Sequence, residues 1–262
     1  MAKNTVLVLG GTGFVGKWLV NRLSKSGYNV RVPARHPHRV RDLQLLPTVS
    51  ILPAESFEQA TLERWVKGCD TAINLVGILN ERGRDGSGFR RAHIELPLRL
   101  AAACQAQNVK RFLHMSALHA DAQEGPSHYL RSKGEAENQL HALPDLAVTS
   151  FRPSIIFGPG DSFFNRFAGL LRITPLVFPL ACPNARFAPI YVGDVAQAFV
   201  NAIADTRTYD QRYDLCGPEV FTLKQLVEYT ANQTGKRRWV VGLGTGLSLL
   251  QARMLDLVPG TP

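Results

Sequence analysis

The sequence predicts an α/β fold in which a doubly wound parallel sheet is accompanied by a small α+β C-terminal lobe. Three observations lead to this fold class. Short apolar, β-branched runs alternate with segments of helical period over roughly the first 150 residues. A glycine-rich loop joins the first of these runs to the first helical segment. Beyond Pro153 the alternation weakens, which predicts a smaller second region of irregular structure at the carboxyl edge of the sheet.

The first region, residues 1–154, is expected to bind a dinucleotide and contains the regular elements. The predicted strands are Thr5–Leu9, Tyr28–Val32, Val49–Leu52, Thr71–Val76, Arg111–Ser116 and Leu146–Arg152. The predicted helices are Phe14–Ser26, Thr61–Lys67, Pro97–Gln107 and Tyr129–His141. Residues 155–262 are expected to form the lobe, with a turn at Gly158–Asp161 and helices at Ser162–Leu171 and Asp194–Ala204. The sequence leaves open whether later segments of this region return to the sheet.

Composition excludes several classes of protein. Hydrophobic residues make up 45% of the chain, as in an ordinary globular protein. No apolar run reaches the ~20 residues that a transmembrane helix needs, so we expect no transmembrane segment. The first residues lack the pattern of a signal peptide, which predicts a cytoplasmic protein. The net charge of +9 favours an anionic partner, but because no recognised nucleic-acid motif is present we expect no nucleic-acid partner.

The cysteines show no metal-binding or disulfide pattern. The four stand at Cys69, Cys104, Cys182 and Cys216, at least 34 residues apart, so no CxxC pair exists. We therefore expect no metal site and interpret all four as buried free thiols.

The glycine loop indicates a nucleotide-binding site. Gly10, Gly13 and Gly16 are spaced three apart between a predicted strand and a predicted helix. A pyrophosphate needs backbone N–H groups at close range, and glycines permit the tight turn while the helix N-terminus adds its positive dipole. This context predicts a Rossmann unit, and the loop residues expected at the cofactor are Gly10, Thr12, Gly13, Phe14, Val15 and Gly16.

The end of the second predicted strand favours NADP(H) over NAD(H). An NAD site usually has an acidic residue here, which accepts a hydrogen bond from the ribose 2′-hydroxyl. In this chain the strand runs into Val32-Pro33-Ala34-Arg35 without an acid. A guanidinium binds phosphate oxygens as a bidentate fork, so Arg35 is the candidate ligand of a 2′-phosphate, with His36 or Arg39 in support.

A tyrosine and a lysine four residues apart are the main catalytic candidates. Tyr129 and Lys133 share one face of a predicted helix. A nearby ammonium favours the tyrosinate, so we expect a lowered pKa for the Tyr129 phenol and proton exchange near neutral pH. The same lysine is placed to hold the nicotinamide ribose.

Several motifs together give the sequence a family resemblance. They are Gly10–Gly16, Val32–Arg35, Ala72–Gly77, Tyr129–Lys133, Arg152-Pro153, Phe157–Asp161, Pro189–Ala196 and Tyr213–Thr222. Across nearly its whole length the sequence resembles an atypical, extended short-chain dehydrogenase/reductase. Within that superfamily it is most similar to the branch that contains the NADPH-binding accessory subunit of respiratory complex I and its bacterial relatives.

The resemblance implies further contacts and a longer protein. It implies a Rossmann domain with contacts near the nicotinamide from Val76, Gly77, Tyr129, Lys133 and Pro153. Members of the branch continue past a Pro-Gly-Thr-Pro-like stretch, which is where this sequence stops. We therefore expect the C-terminal lobe to be truncated.

The resemblance also shows where the catalytic set departs from the family pattern. Active members add a Ser or Thr after the fifth strand, and often an Asn. Here the hydroxyl position falls on Ala117, next to Ser116, and His93 stands where the Asn would be. Loss of one such donor costs ~10²–10³ in rate. The candidate catalytic residues are accordingly Tyr129, Lys133 and Ser116.

Three functions remain open at this point. The first is an NADP(H)-dependent oxidoreductase in which Tyr129 is the acid/base. The second is a non-catalytic NADPH-binding accessory or assembly protein, peripheral at the inner face of a membrane, whose partner is a respiratory complex or a quinone-linked protein. The third is an NAD-dependent epimerase or dehydratase, for which the sequence offers no convincing uridine or guanine site.

Overall fold

A computed structural model describes residues 4–81, 85–174, 176–235 and 238–243 of the chain. Its strands are β1 Thr5–Leu9, β2 Asn29–Ala34, β3 Val49–Pro53, β4 Thr71–Asn74, β5 Arg111–Met115, β6 Ala147–Pro153, β7 Ile156–Phe157, β8 Val177–Leu180, β9 Arg186–Phe187, β10 Ile190–Tyr191, β11 Gln211–Leu215, β12 Phe221–Thr222 and β13 Trp239–Gly242. Its α-helices are α1 Phe14–Lys25, α2 Arg41–Gln44, α3 Gln59–Val66, α4 Ser87–Phe89, α5 Leu96–Ala106, α6 His128–His141, α7 Phe163–Ile173, α8 Val192–Ala204 and α9 Leu223–Gln233.

The main sheet has seven strands in the order β11-β6-β5-β4-β1-β2-β3. All neighbours in it are parallel. β4 and β5 are buried along their whole length, as expected for strands covered on both faces. α3, α5 and α6 cover one face of the sheet, and α1 packs against α8 on the other. The predicted doubly wound parallel sheet is confirmed.

The order of the strands locates the ligand crevice. It reverses between β1 and β4, which are neighbours although the chain has formed β2 and β3 between them. Doubly wound sheets bind ligands outside the carboxyl ends of the strands at such a switch point. The glycine loop follows β1, and residues 75–78 follow β4, so both lie at this edge.

The chain returns to the main sheet after leaving it. By compactness one unit comprises Met1–Pro153 and Val192–Leu215, and a second comprises Ser154–Tyr191 and the described residues from Cys216 onward. In the first unit, β11 pairs with β6 and becomes the seventh strand. The return of later segments to the sheet, which the sequence left open, is thus realised, because β11 joins the main sheet and α8 packs against α1. The chain beyond 155 is therefore not irregular throughout.

A buried arginine, Arg111, forms hydrogen bonds between the main sheet and the returning segment Val192–Leu215. Arg111, the first residue of β5, donates to the carbonyl oxygen of Ala202 at 2.7 Å and to Thr208 Oγ1 at 2.8 Å. It also donates to Thr149 Oγ1 at 2.7 Å, and its guanidinium lies 4.5 Å from the ring centroid of Tyr209. Burial lowers the pKa of Arg111 to about 10, which still leaves it charged at neutral pH.

The second unit has its own small core. β8 and β13 pair in parallel, β7 pairs with β10, and β9 pairs antiparallel with β12. α7 and α9 pack on the β8–β13 pair, and the buried residues are Leu171, Phe178, Leu180, Val227, Ala231 and Val240. The apolar run 240–250 begins as β13, and from residue 244 it lies outside the described residues.

All of the predicted strands and helices are confirmed to within two residues at each end, and the elements that the sequence did not predict are short or polar. Gly27, which follows the C-cap Ser26 of α1, has a φ of +86° and ends the helix. The helix α9 was not predicted. Cys69 and Cys104 are buried as expected, but Cys182 and Cys216 are exposed, so that part of the prediction is wrong. Among the described residues, no helix is long and apolar enough to span a bilayer.

Candidate functional site

The glycine positions of the loop are packed too tightly to accept a side chain. Gly13 N donates to the carbonyl oxygen of Gly10 at 3.0 Å, and Gly10 has a φ of +84°. A Cβ at Gly16 would lie 2.3 Å from that same oxygen, so α1 passes directly against the turn. Gly13 is the N-cap of α1 and supplies no side-chain capping bond. The first N–H groups of the helix are thus available to an anion, as a pyrophosphate site requires.

The loop also lies against the chain that follows β4. A Cβ at Gly10 would be 3.0 Å from the carbonyl carbon of Leu75 and 3.1 Å from the nitrogen of Val76. The Val76 N–H donates to Asn74 Oδ1 at 3.2 Å, which fixes the direction of the chain as it leaves the sheet. Gly10 and Val76, both predicted at the cofactor, are therefore brought together. Thr12, Phe14 and Val15 are half-buried beside them.

Arg35 is exposed directly after β2, whose last residue, Ala34, is buried. The first acid beyond it, Asp42, forms a 2.8 Å ion pair with Lys17, whose hydrogen bond lowers the pKa of the Asp42 carboxyl. Arg31 points elsewhere, because it donates to the carbonyl oxygens of Trp65 and Lys67 at the end of α3. Of the basic residues at this strand, Arg35 is thus placed at the carboxyl edge of the sheet and Arg31 is a helix cap.

Lys133 is buried between α6 and β5. Its Nζ donates to the carbonyl oxygen of Met115 at 2.9 Å, at the carboxyl end of β5. A Cβ on Gly77 would lie 3.2 Å from the same Nζ, so these two predicted residues are neighbours. Burial lowers the pKa of Lys133 to about 8, while Glu137 one turn further along α6 acts in the opposite direction. The ammonium form still dominates at pH 7.

Tyr129 does not have the lowered pKa that the sequence led us to expect. Burial raises the pKa of its phenol. The ring lies between two aromatic neighbours, 5.3 Å from His93 and 6.1 Å from Phe89 between centroids, each in edge-on geometry. Burial by this packing therefore sets the direction of the pKa shift, although a lysine lies one helical turn away. In the structure, Tyr129 is a protonated phenol at neutral pH.

His93 connects the loop after β4 to α6. It lies on a π-helical turn, Arg90–Glu95, a feature that frequently marks functional sites. Its Nε2 accepts from the Ile78 N–H at 3.0 Å, so the proton belongs on Nδ1, which lies 2.9 Å from Ser132 Oγ. Ser132 Oγ in turn donates to the carbonyl oxygen of Tyr129 at 2.8 Å. Burial, with help from the Lys133 charge, lowers the pKa of His93 to about 3, so the ring is neutral.

Two buried polar atoms at the end of β5 lack a partner among the described residues. They are Ser116 Oγ and His114 Nε2. Asn74 Nδ2 donates to His114 Nδ1 at 3.2 Å, which leaves the proton of His114 on the unpaired Nε2. Ala117, at the usual hydroxyl position, is also buried. The Ser116 hydroxyl is therefore uncommitted among the described residues. It lies next to Ala117, the position at which the family pattern places the catalytic hydroxyl.

Most of the predicted site residues lie at this one edge of the sheet. Pro153 closes β6, and its carbonyl oxygen accepts from the Leu118 N–H at 3.0 Å. Sequence reasoning did not place Asn74, Ser132 or Phe89 at the site, and it interpreted His114, at the end of the fifth strand, as a packing or surface residue. The available signal was the presence of Asn74 and His114 at the carboxyl ends of otherwise apolar strands.

These features define a Rossmann-like nucleotide-binding fold with a glycine loop, a strand order and a tyrosine–lysine helix typical of short-chain dehydrogenases. Comparison with known families identifies it further. The model of the NAD dependent epimerase/dehydratase family matches residues 6–216. The chain belongs to this family, which is part of the extended short-chain dehydrogenase/reductase group, and the resemblance inferred from the motifs is confirmed.

The most informative relatives are subunits of a respiratory enzyme and a reductase. The chain is 30% identical over 233 residues to the mouse (Mus musculus) NADH dehydrogenase (ubiquinone) 1 alpha subcomplex subunit 9, covering 87% of this chain and 60% of that protein. It is 27% identical to the NADH-ubiquinone oxidoreductase 40 kDa subunit of Neurospora crassa, covering 90% and 61%. It is 31% identical to the ceramide reductase of Caulobacter vibrioides, covering 76% and 61%. The chain thus spans about three fifths of the length of each.

Solved structures confirm the fold. MoeE5 in complex with UDP-glucuronic acid and NAD is 23% identical, with a TM-score of 0.77 over 92% of this chain and 86% of that one. The UDP-glucose 4-epimerase of Thermus thermophilus in complex with NAD is 21% identical, with a TM-score of 0.75 over 98% and 94%. At this level of identity the similarity concerns the fold alone.

Proposed function

We propose that the chain binds NADP(H) at the carboxyl edge of the main sheet and acts as an oxidoreductase-like protein. The observation that carries the proposal is the glycine loop, in which α1 begins without a side-chain cap and Gly16 leaves no space for a Cβ. Such a cradle suits a pyrophosphate.

The residues around the loop fit the rest of a dinucleotide. Lys133 uses one of its three N–H donors on Met115, and the others are suited to ribose hydroxyls. Val76, Gly77 and Pro153 would line the nicotinamide end, and Arg35 would bind a 2′-phosphate. Ser116 Oγ and His114 Nε2 are buried polar atoms that gain from a polar ligand.

The preference for NADP(H) rests on Arg35 and is tested by calorimetry. NADPH is expected to bind at least tenfold more tightly than NADH to the wild type, because a bidentate guanidinium–phosphate contact is worth well over 1 kcal/mol. Arg35→Ser should remove most of that difference. Arg41→Ser is the matched control, since it removes the same charge from the same basic stretch. Equal binding of the two cofactors by the wild type would refute the preference.

The chemistry expected at the site is proton donation to a substrate oxygen. The cofactor supplies the hydride when bound, and Tyr129 supplies the proton from its Oη, because its raised pKa keeps it protonated. Ser116 Oγ is the candidate second donor to the same oxygen. NADPH oxidation with a panel of carbonyl compounds tests this. Turnover should fall strongly in Tyr129→Phe, and turnover that survives this change would exclude Tyr129 as the proton donor.

A second candidate is a non-catalytic accessory role. Ala117 at the hydroxyl position and a neutral, fully bonded His93 in place of Asn both favour it. The relatives named as NADH dehydrogenase and NADH-ubiquinone oxidoreductase subunits suggest a membrane respiratory complex or a quinone-linked partner, with the protein peripheral at the inner face of the membrane. Tight NADPH binding without turnover, together with co-purification with respiratory subunits from solubilised membranes, is the expected result. Rapid reduction of a defined substrate by the isolated chain would contradict it.

A further inference from the structure

A single carboxylate, that of Glu81, holds the start of the helix that carries His93. Its Oε1 accepts from the Gly86 N–H at 2.8 Å. Its Oε2 accepts from the N–H groups of Gly88 at 2.8 Å and Phe89 at 3.3 Å. These donors open the helical segment that continues through α4, the π-helical turn and α5. Both oxygens of this half-buried side chain are thus bonded to the backbone.

Glu81 accepts most of the hydrogen bonds that this helix start requires. The first N–H groups of a helix have no acceptor within it, and an acidic group near them is also favoured by the helix dipole. The Ser87 N–H bonds to Asp85 Oδ1 at 3.1 Å. Helical bonding begins with the Arg90 N–H, which donates to the carbonyl oxygen of Gly86 at 2.9 Å. Of the four N–H groups directly before Arg90, Glu81 therefore accepts three and Asp85 one.

A glycine permits this close approach of the carboxylate to the backbone. A Cβ at Gly88 would lie 2.8 Å from the Cβ of Glu81 and 3.0 Å from its Oε2. Any other residue at position 88 would therefore displace the Glu81 side chain. Because both oxygens are used inside the protein, Glu81 is suited to fixing the backbone and not to contacting a substrate.

Phe89 connects the Glu81 contact to the candidate proton donor. The Phe89 ring centroid lies 5.5 Å from that of His93 and 6.1 Å from that of Tyr129, and the contact with Tyr129 is edge-on. His93 in turn accepts from the Ile78 N–H, on the same stretch of chain as Glu81. The chain after β4 therefore positions the Tyr129 ring at two points, through His93 and through Phe89.

We propose that Glu81 is a positioning residue of the candidate site. By fixing the backbone of Phe89, it holds the Phe89 ring against Tyr129 and so keeps the phenol in the orientation from which it donates its proton. The inference rests on the proposed oxidoreductase function, to which it adds a residue that the family motifs do not include. A carboxylate that only stabilised the helix would instead affect stability without any change at Tyr129.

The test compares Glu81→Gln with the matched control Asp85→Asn. Both substitutions replace a carboxylate that accepts N–H groups of the same turn, but only that of Glu81 bonds to Phe89. The glutamine amide has one acceptor oxygen in place of two, so it cannot keep all three bonds. Glu81→Gln should lower the kcat of carbonyl reduction by about tenfold or more, because a misplaced proton donor contributes less to the rate. KM and the affinity for NADPH should stay within about twofold, and Asp85→Asn should resemble the wild type throughout.

A titration that does not depend on turnover detects the same change. Burial raises the pKa of the Tyr129 phenol in the wild type. The tyrosinate absorbance of Tyr129 can be isolated by difference from the matching Tyr129→Phe protein. It should appear at lower pH in Glu81→Gln, because the ring gains contact with water, and it should be unchanged in Asp85→Asn.

A Phe89→Leu background shows whether Glu81 acts through the Phe89 ring. In that background Glu81→Gln should cause little further change in kcat or in the titration of Tyr129, and full additivity of the two substitutions would overturn the proposal. A loss of stability in Glu81→Gln with wild-type kcat and titration would also overturn it, as would equal changes in Asp85→Asn. If Glu81→Gln does not fold, Gly88→Ala makes the same test, since its Cβ would displace the Glu81 side chain.

Failure of this inference is distinguishable from failure of the proposed function. Turnover that depends on Tyr129 but not on Glu81 would refute the positioning role alone. A wild type that shows no turnover, while the titration of Tyr129 still depends on Glu81, would refute the oxidoreductase function alone.

Discussion

At the scale of single residues, His93 shows how an imidazole, at the position where the family resemblance implies an asparagine, changes the chemistry of the site. An asparagine amide at this position would leave donors and an acceptor for a ligand or water. The imidazole instead uses both nitrogens inside the protein, on Ile78 N–H and Ser132 Oγ. It holds the loop after β4 against α6 and leaves no ring nitrogen for a substrate.

This arrangement predicts an acid-sensitive fold. The pKa of His93 is about 3 in the folded chain, against an ordinary value of 6.5, so the unfolded state binds the extra proton as the pH falls below about 6.5. Stability is therefore present above that pH and is lost on acidification, by about 2 kcal/mol between pH 7 and pH 5 from His93 alone. His114 and His141, whose pKa values are also lowered by burial, act in the same direction.

Urea unfolding at pH 7, 6 and 5 measures this effect. In His93→Asn, which retains an acceptor for the Ile78 N–H but does not titrate, the loss between pH 7 and pH 5 should be smaller by about 2 kcal/mol. An identical pH dependence in both proteins would show that His93 is not buried in its neutral form.

The two serines near the lysine should respond to alanine in opposite ways. Ser116→Ala removes a buried hydroxyl that has no partner among the described residues, so stability should be unchanged or slightly higher. Ser132→Ala leaves the Nδ1–H of His93 unpaired and should cost about 1–3 kcal/mol. Chemical denaturation of both variants checks the pair. A large loss in Ser116→Ala would mean that its hydroxyl has a partner.

At the scale of elements, a glycine allows α6 to pack closely against the loop that precedes it. A Cβ on Gly134 would lie 2.4 Å from the nitrogen of Ala122 and 2.5 Å from the carbonyl carbon of Asp121. The loop before α6 therefore crosses directly over the helix that carries Tyr129 and Lys133. A side chain here would force either the loop or the helix to move.

Two glycine-to-alanine substitutions test this close packing, because they make the same chemical change at a crowded position and at an open one. Gly134→Ala should destabilise the protein by more than 1 kcal/mol and weaken NADPH binding, because backbone atoms cannot make room. Gly169→Ala in α7 meets no atom within 4 Å and should stabilise by roughly 0.5–1 kcal/mol, the usual helix preference for alanine. Thermal unfolding of both variants is the measurement, and stabilisation by Gly134→Ala would contradict the contact.

The sequence predicted those elements whose pattern is local. The strands at Thr5–Leu9 and Arg111–Ser116 are apolar runs between breakers, and the structure reproduces them to within one residue. The strand β11 has four exposed residues among its five, because it is the edge of the sheet, and no apolar pattern marks it. The π-turn at His93 was equally hidden, since one extra residue per turn leaves no signature in a single sequence.

The candidate site was predictable in position but not in electrostatics. Tyr129 and Lys133 could be placed at the sheet edge from their spacing and from the glycine loop before them. The pKa of Tyr129 depends on Phe89 and His93, which reach its ring only through the tertiary fold. Spacing along a helix shows which side chains share a face, but it does not show how much water surrounds them.

At the scale of the whole chain, the main sheet is assembled from two separate stretches, Met1–Pro153 and Val192–Leu215. Arg111 links them through Ala202 and Thr208. Arg111→Met should cost about 3 kcal/mol, because charged hydrogen bonds are lost and buried acceptors are left without a donor. Arg207→Met, at a side chain 87% exposed, should cost less than about 0.5 kcal/mol. Hydrogen exchange of the β11 amides should accelerate only in Arg111→Met, and equal rates in both variants would refute the link.

The late position of β11 in the chain has a consequence for biosynthesis. When the ribosome has released the chain through β6, that strand still has an unpaired edge, and its partner Gln211–Leu215 has yet to be translated. An open edge of a parallel sheet is a template for pairing with other chains. Nascent chains that stall between Pro153 and Gln211 should therefore need a chaperone or aggregate, whereas those released beyond Leu215 should reach the native sheet unaided.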